Sequence, residues 1–195
     1  MNSETILGNI NQLVQLNDRE AYFFESVLIS RPFRQGELII NSGDVARYIM
    51  FVNDGYIMSY YTDTDGDEHV VQFAAPNWWS GDLFSLSDNP RTIYSTKGLT
   101  DGEVLLLPRS AQEELFSRFP KFERYFRLSF QNSLIRQQMR MIESYSLSAE
   151  ERYVNFQAKF PNIDRYIAQK HIASYLGMSP EFLSRTRKKL LSKEN

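Results

Sequence analysis

The segment "HIASYLGMSPEFLSR", residues 171–185, places the end of one helix and the start of another within three residues of each other. Gly177 follows an apolar helical pattern and readily adopts the left-handed conformation that ends a helix. Ser179 is a favourable N-cap, and Pro180 is a favourable first residue for the next helix. Two helices joined by so short a turn must cross steeply. The segment therefore predicts a helix-turn-helix, whose second helix presents its start to the major groove of DNA.

The second helix of this motif has two different faces. Leu183, Thr186 and Leu190 recur at spacings of three and four residues and predict its buried stripe. On the other face Arg185 suits guanine O6 and N7, and Glu181 suits cytosine N4. Neighbouring cations suit phosphates. The residues predicted to contact DNA are Gln169, Lys170, Ser179, Glu181, Phe182, Ser184, Arg185, Arg187, Lys188 and Lys189.

The charge of the chain is distributed unevenly. With 22 Lys/Arg and 24 Asp/Glu the net charge is −2, but residues 148–195 carry nine basic and five acidic side chains. A basic C-terminal piece on an acidic body indicates that this piece meets a polyanion, here double-stranded DNA. The alternative function is a small-molecule-binding module whose C-terminal helical hairpin docks a protein. The local positive charge favours DNA.

Between residues 33 and 107 the pattern changes to short strands separated by turns. Asp54-Gly55 and Asp65-Gly66 each lie between two β-rich segments and predict hairpins. Further turn residues follow about every ten residues, which is typical of an antiparallel sandwich or roll. One of these turns is expected at Asn89-Pro90. This half of the chain is therefore predicted to be an antiparallel β domain.

Helices flank the β segment on both sides. Capping boxes are predicted at Asn17, Ser110 and Ser148, each with a glutamate three residues later. A long helix is predicted from Pro120 to about Tyr145. Its apolar residues form two stripes, and a second stripe requires a second packing partner. Either the helix is sandwiched within its own chain, or one stripe contacts the same helix of a second subunit.

The homodimer is the favoured interpretation of these stripes. The first stripe consists of Phe126, Phe130, Leu134, Met141 and Tyr145 and is assigned to the β body. The second stripe, assigned to the dimer interface, consists of Leu128, Ile135, Met139 and Ile142.

The composition argues against several function classes. The absence of cysteine excludes disulfides and thiolate nucleophiles, and the two histidines have no companion ligands, so no metal site is expected. There is no phosphate-binding loop ending in lysine and no nucleophile elbow, so the chain is not expected to be an enzyme. No apolar run is long enough to span a membrane, and a cytoplasmic protein is expected.

Over nearly its whole length the chain resembles the Crp/Fnr family of bacterial transcription regulators. The segments "GELIINSGD", "YIMFVNDGYIMSYY" and "DGDEHVVQFAAPNWWSGD" resemble successive parts of that family's β-roll. The resemblance implies an α+β fold, with an N-terminal antiparallel β-roll of the jelly-roll type, flanking helices, a long dimerisation helix and a C-terminal winged-helix-like helix-turn-helix. It implies a sensor domain over residues 1–108, a linker and dimerisation helix over 109–147, and a DNA-binding domain over 148–195. The implied partners are operator DNA, a second copy of the chain and RNA polymerase, with no membrane.

The resemblance also locates two sets of functional residues. The family's base-reading positions fall on Pro180, Glu181 and Arg185, and Pro180 has no donor, so Glu181 and Arg185 are expected to carry the readout. The family's phosphate-binding cassette falls on "GDLFSLSDNPRTIYS". Its ligand-binding positions would be Gly81, Asp82, Arg91 and Thr92.

This chain departs from the cassette pattern at two positions. Asp82 is one methylene shorter than the family's glutamate, and Ile93 stands where the family has a small residue, so its side chain is expected to fill the pocket. A cyclic nucleotide, another small ligand and no ligand all stay open. No cofactor is assigned.

Overall fold

The computed structural model describes residues 2–82 and 91–192. The segment 83–90, which includes the turn expected at Asn89-Pro90, lies outside the described residues. The strands are β1 (Ile29–Phe33), β2 (Leu38–Ile40), β3 (Tyr48–Asp54), β4 (Ile57–Thr62), β5 (Glu68–Ala74), β6 (Trp79–Ser80), β7 (Ser95–Gly98) and β8 (Gly102–Pro108). The helices are α1 (Glu4–Asn11), α2 (Asp18–Val27), α3 (Arg109–Arg118), α4 (Pro120–Ser146), α5 (Ala149–Lys159), α6 (Gln169–Leu176) and α7 (Pro180–Leu191), with a 3-10 turn at Ile163–Arg165.

The strands form two four-stranded antiparallel sheets. The first sheet has the order β1-β8-β3-β6 and the second has the order β2-β7-β4-β5. The hairpin predicted around Asp65-Gly66 is confirmed, because β4 and β5 pair directly on either side of it. Within the described ranges, no helix is long and apolar enough to cross a membrane.

The hairpin predicted at Asp54-Gly55 is wrong. The turn exists, with Gly55 at a φ of 78°, but β3 and β4 belong to different sheets. A Cβ at Gly55 would lie 2.6 Å from the carbonyl oxygen of Asp101, and Tyr56 donates its backbone N–H to the Thr100 hydroxyl at 3.0 Å. These contacts attach the turn to the β7–β8 connection, so the chain crosses from one sheet to the other.

Two of the three predicted capping boxes are present in the structure. The capping boxes at Asn17 and Ser148 are present, with reciprocal bonds to Glu20 and Glu151. The box predicted at Ser110 is wrong, because α3 begins directly after β8 and Ser110 already lies inside its first turn. The long helix predicted from Pro120 to about Tyr145 is confirmed as α4.

Three apolar clusters hold these layers together. One lies between the two sheets and includes Met50 and Val52 of β3. A second joins the outer face of the first sheet to α1–α4 through Phe51 and Phe126, among others. The third joins the outer face of the second sheet to α5–α7 and includes Phe73 and Phe156. The C-terminal helices therefore share a continuous core with the β-roll.

The burial of apolar side chains on α4 depends on their position along the helix and not on which of the two apolar stripes they belong to. Phe126 at its start is buried, whereas Leu134 is 55% exposed and Tyr145 is 83% exposed, although all three belong to the stripe assigned to the β body. That assignment is therefore wrong for the second half of the helix. The β-roll and α3 bury the apolar side chains of the first half, whereas the second half contacts the roll through polar groups, such as Arg140, which donates to the carbonyl of Val71 at 2.8 Å.

Candidate nucleic-acid interface and ligand pocket

The turn between α6 and α7 has the predicted geometry. Gly177 ends α6 with a φ of 65°, and the next residue, Met178, donates its N–H to the carbonyl of Ala173 at 3.0 Å. The Ser179 hydroxyl accepts from the N–H of Phe182 at 3.2 Å, and Pro180 opens α7. The chain thus stops one helix and starts the next at the residues that the sequence pattern indicates.

Helix α7 buries one face and exposes the other. Leu183 and Thr186 are buried, and the Thr186 hydroxyl donates to the carbonyl of Phe182 at 2.9 Å. The exposed face presents Glu181, Phe182, Arg185, Lys188 and Lys189. Because the exposed residues include the first turn of the helix, that end can enter a groove without unpacking the buried stripe.

Arg185 and Glu181 lie one turn apart on this exposed face. The Arg185 guanidinium lies over the Phe182 ring at 5.6 Å from its centroid. Hydrogen bonds from its own backbone N–H and from the Ser179 hydroxyl, with Arg185 nearby, lower the pKa of Glu181. Glu181 is therefore an ionised acceptor at neutral pH.

Three of the cations predicted to contact phosphates lie beside carboxylates of their own chain. Arg187 lies 3.8 Å from Asp164, and Lys189 forms an ion pair with Glu150. Lys170 at the start of α6 lies 3.7 Å from Glu68 of β5. Ion pairs with such exposed lysines contribute little, about 0–1 kcal/mol, so they do not prevent a phosphate from competing for the cation.

Sequence reasoning missed a polar junction between α6 and β5. The His171 Nε2 lies 2.5 Å from a carboxylate oxygen of Glu68, and Lys97 of β7 donates to the same carboxylate at 3.1 Å. Ser174 accepts from the backbone N–H of Val70 at 2.9 Å. No local motif marks this junction, because its members lie far apart in sequence.

Two ionisable groups of the junction, Glu68 and His171, have shifted pKa values. Burial alone would raise the pKa of Glu68, but hydrogen bonds from His171 and Lys97 outweigh it and lower that pKa. Burial lowers the pKa of His171, against the opposing effect of its bond to Glu68. Glu68 is thus a carboxylate that accepts a hydrogen bond from a neutral imidazole.

The predicted ligand residues of the β-roll are brought only partly together. Asp82 is buried and accepts from the Thr92 hydroxyl at 2.8 Å and from the Ile93 N–H at 3.3 Å. Arg91 is exposed and donates to the carbonyl of Gly43 at 2.7 Å. Ile93, the residue where this chain departs from the family's small side chain, is 41% exposed.

A cavity of about 280 Å³ adjoins this region on the side of α4. Gly81 and Ser80 border it from the roll, and Ser129, Ser133 and Arg136 border it from α4. Inside the roll, the Ser59 hydroxyl bonds that of Thr96 at 2.9 Å. The cavity thus offers hydroxyl groups and one guanidinium between the roll and the long helix.

Comparison with known proteins gives consistent matches across the chain. The cyclic nucleotide-binding domain family matches residues 30–119. The electron transport regulator A of Shewanella oneidensis is 25% identical over 190 residues, which cover 91% of this chain and 72% of the relative. The regulatory protein HlyX of Actinobacillus pleuropneumoniae is 25% identical over 170 residues, covering 80% of this chain and 68% of the relative.

Solved structures show the same fold. FixK2 from Bradyrhizobium japonicum matches with a TM-score of 0.70 and 24% identity, covering 86% of each chain. The catabolite activator protein of Thermus thermophilus matches with a TM-score of 0.58 and 20% identity, covering 95% of this chain and 88% of that one. The predicted α+β fold, a cyclic-nucleotide-binding-type β-roll with helices, is thereby confirmed.

Proposed function

Since the chain is a Crp/Fnr-type transcription regulator, we propose that it binds a two-fold symmetric operator as a homodimer, with α7 in the major groove. The exposed face at the start of α7 carries this proposal, because its first two turns present an ionised acceptor and a guanidinium one turn apart on a helix whose other face is buried. Glu181 and Arg185 are assigned to base readout. Gln169, Lys170, Arg187, Lys188 and Lys189 are assigned to phosphates, and Ser179, Phe182 and Ser184 to the remaining contacts.

The second half of α4 supports the homodimer. Ile135, Met139 and Ile142 are 47%, 51% and 53% exposed on one stripe, and Leu128 of the same stripe is half-buried. Several large apolar side chains exposed along one helix are typical of a protein interface. A two-fold axis beside α4 would cover both copies of the stripe and would place the two α7 helices symmetrically.

We assign the sensor role to residues 1–108, the subunit contact to 109–147 and DNA binding to 148–195. A ligand in the roll would be met by Gly81, Asp82, Thr92 and Arg91. Since the Thr92 hydroxyl donates to Asp82, a ligand that used this hydroxyl as a donor would have to replace that hydrogen bond. A thermal-shift screen with cyclic nucleotides and other small molecules would identify the chemical class of this ligand, with Arg91→Ala as the control.

The DNA proposal is tested by selecting preferred duplexes from a random pool with the full-length protein. The selected sites should be pseudo-palindromic, and Arg185→Ala should cost about 1–3 kcal/mol and relax the preference at one base position. Lys188→Ala should instead weaken all sequences about equally and reduce the salt slope by about one.

The matched control is Arg118→Ala, which removes an exposed arginine from α3, outside the C-terminal region. It should leave sequence preference and salt slope unchanged. The proposal fails if the protein enriches no sequence at low salt. The docking alternative predicts instead that neutralising Lys188 and Lys189 leaves function untouched.

A further inference from the structure

A second cleft, of about 590 Å³, lies where the second half of α4 faces α5, α6 and the turn that follows α6. Neither Asp82 nor Thr92 lines it, and Arg136 borders both this cleft and the cavity beside the roll. Among the residues that the structure describes, the lining of this cleft carries four cationic side chains and one carboxylate, Glu143, a formal excess of three positive charges. The cations are Arg136 and Arg140 of α4 and Arg152 and Lys159 of α5.

Helical spacing places these four cations along two facing elements. Arg136 and Arg140 are four residues apart and therefore share one face of α4. Arg152 and Lys159 are seven residues apart and therefore share one face of α5. Since both pairs line the same cleft, two positively charged helix faces border one space.

Among the described residues, none of these four cations forms an ion pair with a carboxylate, in contrast to Arg187 and Lys189 of α7. Three of them lie over aromatic rings instead. Arg136 and Lys159 lie 5.4 Å and 5.2 Å from the centroid of Trp78, and Arg140 lies 4.8 Å from that of Tyr175. These rings and nearby carbonyls orient the charges without neutralising them.

Arg152 adds an unsatisfied donor to the same cleft. Its Nη1 donates to the carbonyl of Leu176 at 2.6 Å, which ties it to the end of α6. Its Nε is buried and has no hydrogen-bond acceptor in the part of the chain that the structure describes. A buried guanidinium N–H without an acceptor is costly, so the Arg152 side chain would gain from a small movement that brings this N–H to an anion in the cleft.

We propose that this cleft binds a small anion with at least two phosphate or carboxylate charges, held between Arg136 and Arg140 on one side and Arg152 and Lys159 on the other. Ile135 and Met139 of the stripe assigned to the subunit contact also line the cleft, so a partner subunit would border the anion, and the cleft reaches the helices assigned to DNA. DNA is the less favoured occupant, because none of the exposed residues of the first turn of α7 lines the cleft. Binding of the anion is measured without DNA, so this proposal can fail independently of the proposed function.

The test is calorimetric titration of the full-length protein with inorganic pyrophosphate and, separately, with citrate, at constant ionic strength. We expect saturable binding of one anion per chain, and the tighter probe identifies phosphate or carboxylate as the preferred group. Arg140→Gln and Lys159→Gln should each weaken binding about tenfold. Lys159 is exposed, so its substitution tests the site with little risk to folding.

Two further variants separate the site from general electrostatics. Glu143→Gln should tighten binding several-fold, because it removes the one carboxylate of the lining. Arg127→Gln, which removes an exposed arginine of the same helix outside the cleft, should leave the affinity within twofold of the parent. The proposal is overturned if neither probe binds saturably, or if Arg127→Gln weakens binding as much as Lys159→Gln. It is also overturned if the cleft variants lower only DNA affinity.

Discussion

The two halves of α4 carry similar numbers of large apolar side chains but meet different surroundings. Phe122, Tyr125 and Phe126 in the first half are completely or almost completely buried. Leu134 and Tyr145 in the second half are largely exposed. The helix is continuous through both halves, so its own backbone hydrogen bonds do not distinguish them. What differs is whether the chain supplies a packing partner.

The first half is fixed by aromatic packing and by one polar chain. Phe126 lies 5.1 Å from Trp79 and 5.4 Å from Phe116, measured between ring centroids. The Trp79 indole donates to the Tyr125 hydroxyl at 2.7 Å, which in turn donates to Asn9 at 2.6 Å. Apolar periodicity therefore indicates that a face will be covered, but the partner depends on elements distant in sequence.

Truncation in the first half should have the largest effect on folding. We expect Phe126→Ala to lower the free energy of unfolding by about 3–5 kcal/mol, because it leaves a cavity among rings that cannot collapse fully. Urea denaturation at two protein concentrations measures it, and the loss should be the same at both. A loss below about 1 kcal/mol would contradict the assignment of the first half to the monomer core.

A charge placed in the second half should act on assembly rather than on folding. Ile142→Glu should leave the circular dichroism spectrum unchanged and weaken the dimer about a hundredfold or more, because a two-fold contact would bring both new carboxylates together. Light scattering over a dilution series measures the subunit equilibrium.

The matched control is Gln138→Glu, which adds the same charge at an exposed position outside the assigned stripe. It should stay dimeric at concentrations where Ile142→Glu is monomeric. If Ile142→Glu is as dimeric as the parent, the exposed stripe is not the subunit contact. A second subunit would then not account for the exposed apolar side chains of the second half.

The polar chain of the first half should contribute a smaller amount. Trp79→Phe keeps an aromatic ring against Phe126 but removes the donor to the Tyr125 hydroxyl. We expect a loss of about 1 kcal/mol in the free energy of unfolding, the usual net contribution of one hydrogen bond. Tyr125→Phe in the same assay removes both hydrogen bonds of that hydroxyl and should cost more, and an additive double variant would show that Trp79 and Tyr125 do not interact.

Most local features could be predicted from the sequence, with the capping box at Ser110 as an exception, whereas pairings between distant segments could not. The glycine turn at 177 and the caps at Asn17 and Ser148 depend on neighbours within four residues, so the residue types fix them. The Gly55 turn was also predictable, but its transfer to the other sheet depends on contacts with Thr100 and Asp101. The cations of the second cleft carry no motif, because two helices and the residues between them must fold before they meet.

The candidate sites follow the same division. The exposed face of α7 follows from helical periodicity, and Asp82 was located by resemblance alone. Its hydrogen bond to Thr92 depends on the folded roll. Glu68 and His171 are separated by 103 residues, and neither lies in a pattern that indicates the other. The two residues come into contact only when β5 and α6 pack against each other in the folded chain.

Acidification should have the smallest effect, at the junction where α6 contacts the roll. Burial lowers the pKa of His171 below 6.5, so between that value and its folded pKa the unfolded chain binds more protons than the folded chain. Stability from this group is therefore present above pH 6.5 and is lost as pH falls below it. Glu68 acts in the same direction below pH 4.5, because its pKa is also lowered.

His171→Gln isolates the imidazole, since Lys97 and Lys170, the other charges facing Glu68, stay in place. The melting temperature is measured between pH 7.5 and 5.5, about one unit on either side of the unperturbed histidine pKa. As the pH falls, it should decrease more steeply for the parent than for the variant. His69, which lies 2.6 Å from Asp63, is common to both proteins and cancels in the difference. If the melting temperatures of the two proteins changed in parallel with pH, folding would not lower the pKa of His171. The contribution of the junction to stability would then be the same at pH 5.5 as at pH 7.5.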